Sequence, residues 1–412
     1  MTILILPIQY PPDVNSTGML MQRLGRALIA RGHIVHVVTG FPHYADFRIA
    51  PEYRGRLVER TREPDGIYVT RVWLLASGAK QRMWHRLASY LTYNLGAFFA
   101  AHASTTEYDI ALAPSGSFFT GITAWAASLL RGFPFIYNVQ DVYPDVPARA
   151  GQLEAQWQVR WLDRIARFMF ARARHITVIS EEQRRNLLAK GVPADKVSVV
   201  PNFVDTDVMV PLPRDPEVAA RFGWQNQFVI MHSGNIGFAY DFDSLIEAAN
   251  RLRRHPDIRF VLIGEGVRKA ELMEKAQTAG LGNVQFLPFQ PEADLPRIRS
   301  CADVQVSLYR RGSSELSLPS KLYEIMASGR PVLASAEPHS EVTRLVLNAE
   351  SGMVVEPEDA EDLTAAILEL RADPALRARL GESGRAYAVA HHSLDAIADE
   401  YHALFTQLVR HD

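Results

Sequence analysis

Two Rossmann-like, doubly wound α/β domains are predicted by three features of the sequence. Twelve short apolar runs alternate with helix-period segments, a Pro- and Asp-rich break divides the runs six and six, and glycine or polar turns follow several runs. Uninterrupted apolar strands separated by helices imply parallel sheets covered on both faces. In the first half the runs are Ile3 to Leu6, Ile34 to Thr39, Tyr68 to Trp73, Ile110 to Ala113, Phe135 to Asn138 and Ile176 to Ile179. In the second they are Val229 to His232, Arg259 to Ile263, Val284 to Leu287, Val304 to Leu308, Val332 to Ala334 and Met353 to Val355. The break is VPNFVDTDVMVPLPRDPE. The domains are therefore expected at 1–199 and 218–394, with 200–217 as linker and a helix at about 395–412 that can pack back on the first domain. Ligands of such sheets lie beyond the carboxyl ends of the strands, so the two sets of ends are expected to face a cleft.

A chain of 412 residues can bury two large cores, and its charge is uneven. Residues 1–190 carry 22 Lys and Arg against 14 Asp and Glu, whereas residues 191–412 carry 22 against 32. The basic half has no zinc-finger, helix-turn-helix or aromatic RNA-binding signature, so no nucleic-acid partner is expected. Cys301 is the single cysteine, which excludes an internal disulfide and a cysteine metal cluster and fits a reducing, cytoplasmic setting. MTILILPIQYPPD has no basic stretch before its apolar run and does not read as a secretory signal.

Two uncharged stretches bear on membranes. Ile110 to Leu130 is long enough to span a bilayer, but Pro114-Ser-Gly-Ser divides it into a strand, a loop and a helix. From Trp84, the positions Trp84, Leu87, Leu91, Leu95 and Phe98 form an apolar helical stripe flanked by Lys80, Arg82 and Arg86. The stripe packs on its own sheet or, as an interfacial helix, meets an anionic membrane surface; packing is the favoured expectation.

The loops carry the chemistry. SLPSKLYEIMASGRPVLAS follows the run Val304 to Leu308 and opens a helix at Lys321. The first turn of a helix has unpaired N–H groups and partial positive charge, which suit a phosphate; Ser320 can cap it and Lys321 adds a full charge. Glu324, one turn on, can accept hydrogen bonds from ribose hydroxyls. An ordinary capped helix with a Lys and Glu pair fits these residues equally. After the run Val229 to His232, Ser233-Gly-Asn-Ile-Gly237 lets a backbone approach a phosphate at Gly234, Asn235 and Gly237. Neither this turn nor ILILPIQYPP has the three-glycine dinucleotide fingerprint, which counts against a nicotinamide or flavin enzyme. The DFD at Asp241 to Asp243 opens a helix and reads as a cap.

The ordered set YPPD, STG, LGRALIARGHIVHVVTG, VVPNFVD, SGNIG, GEG, NVQFLPF, SKLYEIMASGRPVLAS and SGMVVEPEDAEDLTAAILEL resembles the retaining glycosyltransferases of family four, which have the GT-B fold. FPHYADFRIAPEYRG and VQDVYPD are similar to its branch of bacterial surface-polysaccharide transferases. The resemblance implies a nucleotide-sugar donor, with UDP favoured over GDP, on the second domain, bound by Gly234, Asn235, Gly237, Arg268, Ser320, Lys321, Leu322 and Glu324. It implies a lipid-linked polyprenyl-diphosphate saccharide acceptor on the first, with Ser16, Thr17 and Gly18 in an acceptor-side loop near the donor phosphates. It also implies retention of configuration, no metal or other cofactor, and peripheral attachment to the inner face of the cytoplasmic membrane.

Departures from the family pattern are specific. Glu324 matches the second glutamate of the Glu-x7-Glu motif, whereas the first falls on Leu316, beside Glu315. The second domain's first loop has no cation, leaving Lys321 and Arg268 for the diphosphate. Where many members have a sugar-contacting histidine this chain has Gln140, followed by Asp141. Gln140 cannot act as a base, so Asp141 either orients the acceptor hydroxyl or caps the turn before Pro144. The altered positions keep two other readings open, a non-catalytic docking subunit and a nucleotide-sugar 2-epimerase.

Overall fold

The computed structural model describes residues 1–13, 15–44, 47–78, 83–145, 156–314 and 320–410. The sequence expectations for Lys80, Arg82, Glu315, Leu316 and Pro319 lie outside them, as does that for the Trp84 side chain. The chain forms two compact units, Met1–Asn202 with Ile397–Asp412, and Phe203–Ala396.

The first unit is built on eight strands: β1 Thr2–Ile5, β2 Ile34–Gly40, β3 Val58–Arg62, β4 Tyr68–Val72, β5 Ile110–Pro114, β6 Phe135–Val139, β7 His175–Val178 and β8 Val197–Val199. Their order is β3-β4-β2-β1-β5-β6-β7-β8, parallel except for β3. All six apolar runs of this half are strands. β3 and β8 were not legible as strands: β3, VERTR, has four charged or polar residues because it is an exposed antiparallel edge, and β8 has three residues. Chain order reverses between β1 and β5, which opens the crevice of a doubly wound sheet at their carboxyl ends. Ile110–Pro114 is wholly buried and Thr120–Arg131 is a helix, and among the described residues no helix is long and apolar enough to cross a membrane.

Helix Met83–His102 corrects one expectation. Its core side is Ser89, Tyr93, Asn94, Ala97 and Ala101, while Leu91, Leu95 and Phe99 are 51%, 59% and 57% exposed. Leu87 packs partly on the core, but Leu91 and Leu95 of the apolar stripe do not cover its own sheet. Small residues on the inner side let the helix approach the sheet. Tyr93 Oη donates to the carbonyl of Val38, and Asn94 bonds Ser117 and Thr123.

The second unit has six parallel strands: β9 Phe228–Ser233, β10 Ile258–Ile263, β11 Val284–Leu287, β12 Val304–Leu308, β13 Val332–Ser335 and β14 Gly352–Val355. Their order, β11-β10-β9-β12-β13-β14, puts the reversal between β9 and β12. Segment 203–215 is packed, with Phe203, Val204 and Met209 buried and Val204 exchanging backbone bonds with His392 and Leu394. Cys301 is buried. The terminal helix Leu394–Arg410 buries Ile397, Ala398, Tyr401, Phe405 and Leu408.

Candidate active site

In the second unit the crevice between β9 and β12 is framed by the turn Gly234–Tyr240 and the loop after Leu308. The two are joined by a short antiparallel bridge, Tyr240 to Tyr309, and by Arg310 N donating to the carbonyl of Ala239. Asp241 accepts from the N–H of Ser244 and caps helix Phe242–Arg251, as the DFD reading requires. The GEG turn after β10 lies directly on the first turn. A Cβ at Gly264, where φ is +148°, would overlap the carbonyl oxygen of Gly234, and one at Gly266 would overlap that of Ile236. Only glycine permits this backbone-on-backbone contact.

Lys321, at the start of helix Lys321–Ala327, enters this frame. Its ammonium lies 3.9 Å from the centre of the Tyr240 ring and 3.5 Å from His232 Nδ1, and its stem borders the Gly234 turn. The residue is half-buried by area, but these walls desolvate the ammonium. Burial, reinforced by the nearby Arg299 cation, pushes its pKa down to about 7. His232, fully enclosed at the end of β9, is held far below its ordinary range by burial and then by Lys321, so it is neutral.

Glu324 is ion-paired with Arg299, whose guanidinium is buried and reaches Gln305 at 3.4 Å. Arg299 Nε has no partner among the described residues, and Gln305 is fastened to Ser328 at 3.0 Å. The pair fixes one oxygen of Glu324 and leaves the carboxylate's half-exposed side to accept further hydrogen bonds. Arg299, His232 and Tyr240 were missed in the sequence. Arg299 sits in LPRIRS, where an arginine on a short helix carries no sign of burial.

Other expected donor residues need correction. Ser320 is exposed with helical backbone angles and its hydroxyl makes no capping bond. The Leu322 side chain is core, so only its backbone can meet a ligand. Arg268 is neither a solvated helix-start residue nor an available cation: it is buried, with Asp243 on Nη1 at 2.8 Å and Glu271 on Nη2 at 2.7 Å. Asp243 also binds Lys275 and Arg310, and Arg268 holds its carboxyl far below the carboxylate range. This ion network clamps Arg310, on the β12 loop, to the helix that follows the glycine turn. Asn235 is exposed at the crevice, and Gly237 is buried against the Asn235 side chain.

In the first unit, Ser16, Thr17 and Gly18 form the first turn of helix Ser16–Ala30 rather than a loop, with Asn15 accepting from Gly18 N at 3.2 Å. A Cβ on Gly18 would stand 2.6 Å from the carbonyl oxygen of Gln9, so glycine lets the β1 loop cross over the helix start. Gly116, after β5, lies beside Thr17.

Gln140 and Asp141 separate clearly. Gln140 Nε2 donates to Asn138 Oδ1 at 2.7 Å, and Asn202 Nδ2 donates to Gln140 Oε1 at 2.9 Å. Its N–H donates to Ser115 Oγ and its carbonyl accepts from Gln183. Asn138 in turn donates to Thr177 and to Tyr401 Oη, each at 3.0 Å. Each polar group of Gln140 thus has at least one partner, which suits a positioning residue. The Asp141 carboxylate is exposed and caps no turn among the described residues. Desolvation by the loop walls still raises its pKa.

Two family models match the chain: "Glycosyl transferase 4-like domain" over residues 17–202 and "Glycosyl transferases group 1" over residues 216–387. The chain belongs to the family-four glycosyltransferases. This glycosyltransferase is 27% identical over 375 residues to the putative colanic acid biosynthesis glycosyl transferase WcaI of Escherichia coli (strain K12), covering 89% of this chain and 91% of that one. Its fold is that of the GT-B enzymes. Sucrose-phosphate synthase from Thermosynechococcus elongatus superposes with TM-score 0.73 at 21% identity over the whole of both chains. Anabaena HepE, solved with UDP, superposes with TM-score 0.74 at 18% identity, covering 99% of this chain and 100% of that one. The chain is therefore a glycosyltransferase.

Proposed function

We propose that this glycosyltransferase transfers a sugar, with retention of configuration, from a UDP-sugar to a lipid-linked saccharide during bacterial envelope or exopolysaccharide synthesis, at the inner face of the cytoplasmic membrane. The observation that carries the reading is the convergence of Lys321, the Gly234 turn and the Arg299-braced Glu324 at the β9/β12 crevice. Glu324 suits the ribose, and Lys321 with the turn N–H groups suits the diphosphate. UDP is favoured because HepE and trehalose-6-phosphate structures of this fold hold UDP or UDP-sugars. The acceptor class rests on the likeness to a colanic acid transferase.

Bond cleavage puts positive charge on the sugar and negative charge on the leaving diphosphate. Lys321 and the preorganised N–H groups offset the latter, so the reaction is proposed to run without a metal or other cofactor. Asp141 is assigned to orienting the acceptor hydroxyl. The test is a panel of UDP- and GDP-sugars scored for thermal stabilisation and for slow hydrolysis, with and without EDTA. A UDP-sugar is expected to stabilise the protein and to turn over in EDTA. No response to any nucleotide sugar at millimolar concentration would sink the reading.

A further inference from the structure

We infer that the outer face of helix Gln156–Arg172 is the surface by which the first unit sits on an anionic lipid bilayer. This deepens, and rests on, the lipid-linked acceptor proposed above, and it places the contact on a helix that the sequence reading did not select.

The helix buries Ala166, Met169 and Phe170. On the opposite arc, at spacings of three and four, come Trp157, Arg160, Trp161 and Arg164. Trp157 is 63% and Trp161 46% exposed, and both arginines are exposed. Other arginines of the helix are engaged: Arg167 binds Asp163 at 2.7 Å and the carbonyl of Lys190, and Arg172 lies over Trp125 and Phe168. Arg160 and Arg164 have no carboxylate partner among the described residues.

Two exposed indoles alternating with two exposed guanidinium groups that have no carboxylate partner among the described residues match a headgroup layer in both respects. An indole places its apolar body among acyl carbons and its N–H among headgroups, while an arginine stem carries charge to lipid phosphate. The face keeps too few apolar residues to insert deeply, so it lies on the membrane rather than in it.

Position supports this occupant. The helix follows β6, so Trp157 and Trp161 are at the end nearest the strand carboxyl edge, which also carries Asp141. Trp161 contacts Phe119, at the start of helix Thr120–Arg131, at 6.5 Å between ring centres, and neighbouring Phe118 contacts Tyr143 at 5.1 Å. A bilayer seated there lies beside the β5 and β6 loops, where a membrane-held acceptor has to arrive. The basic balance of residues 1–190 adds long-range attraction of the same sign.

The full chain is sedimented with vesicles of phosphatidylcholine alone and of phosphatidylcholine with phosphatidylglycerol, while tryptophan emission is recorded. Binding is expected to be selective for the anionic vesicles, weakened by salt, and accompanied by a blue shift. Arg160→Glu with Arg164→Glu should weaken vesicle affinity by roughly thirtyfold or more. Trp157→Ala with Trp161→Ala should remove most of the blue shift. All four side chains are exposed, so both variants should keep wild-type thermal stabilisation by a nucleotide sugar. Wild-type protein that ignores anionic vesicles, or a double glutamate variant that binds them as well as wild type, overturns the surface. Either result with intact nucleotide-sugar response leaves the glycosyl-transfer reading standing, whereas vesicle binding without that response would sink the transfer reading alone.

Discussion

Lys321 is lodged between an aromatic face and a neutral imidazole, with its pKa pushed down to about 7 by burial and then by Arg299. A bound diphosphate raises that pKa again. Donor affinity is then full below pH 7 and is lost as pH rises through the bound-state value, by up to about tenfold per pH unit. A nucleotide sugar has no phosphate proton titrating there, so calorimetry from pH 6 to 9 isolates the lysine. Lys321→Arg should flatten the profile because guanidinium stays charged. Lys321→Ala should cost about 2–4 kcal/mol in kcat/KM. Asp141 and Gln140 give a second contrast. Asp141→Asn should lower kcat by about 10²–10⁴ with little change in Tm, whereas Gln140→Ala should cost about 1–3 kcal/mol of stability by leaving Asn138 Oδ1 unpaired. A larger kcat loss in the Gln140 variant, measured on folded protein, would reverse the two roles.

Glycine turns, rather than helices, set the shape of the donor crevice. The GEG turn after β10 supports the Gly234 turn from below by carbonyl contacts that a Cβ would occupy. Gly264→Ala should destabilise the second unit by about 1–3 kcal/mol and weaken nucleotide binding, because both strain and overlap fall on the turn that faces the ligand. Gly282 has nothing within 4 Å of its Cβ position, and Gly282→Ala should leave urea midpoint and binding almost unchanged. Equal effects of the two would remove the turn from the site. At the same scale, helix Met83–His102 shows why periodicity can mislead. Its apolar stripe is real, but Tyr93, Ala97 and Ala101 fit the sheet more closely than leucines do.

Across the molecule, the terminal helix Leu394–Arg410 closes the first unit's core from the far end of the chain. Phe405 is fully buried, Arg31 binds Asp399 at 2.7 Å, and Tyr401 joins the Asn138–Gln140 hydrogen-bond chain. Phe405→Ala should cost about 3–5 kcal/mol, read in denaturant unfolding. Truncation after Ala396 removes five buried apolar side chains, the four large ones each worth about 1.5–3 kcal/mol, a sum comparable to the stability of a whole domain. Limited proteolysis of that fragment should cut within 1–202 while residues 203–396 stay protected. Protection of both would show the helix to be dispensable.

What the sequence determined by itself was what local composition governs. All twelve apolar runs are strands because a strand covered on both faces must be apolar throughout, and the loops at their carboxyl ends follow from parallel topology. Lys321, Glu324 and the Gly234 turn were legible for that reason: each stands in the loop that follows a strand or on the helix that loop opens. Only the tertiary structure decided which polar groups are available. Arg268 looked like a ligand and is buried between two carboxylates; Arg299 carried no sequence sign of a role and braces Glu324; Gln140 is tied to Asn202 and, through Asn138, to Tyr401. Apart from Glu271 beside Arg268 and Asn138 beside Gln140, these partners lie on separate elements far apart in sequence, and the burial that fixes a polar side chain's role is created by the fold.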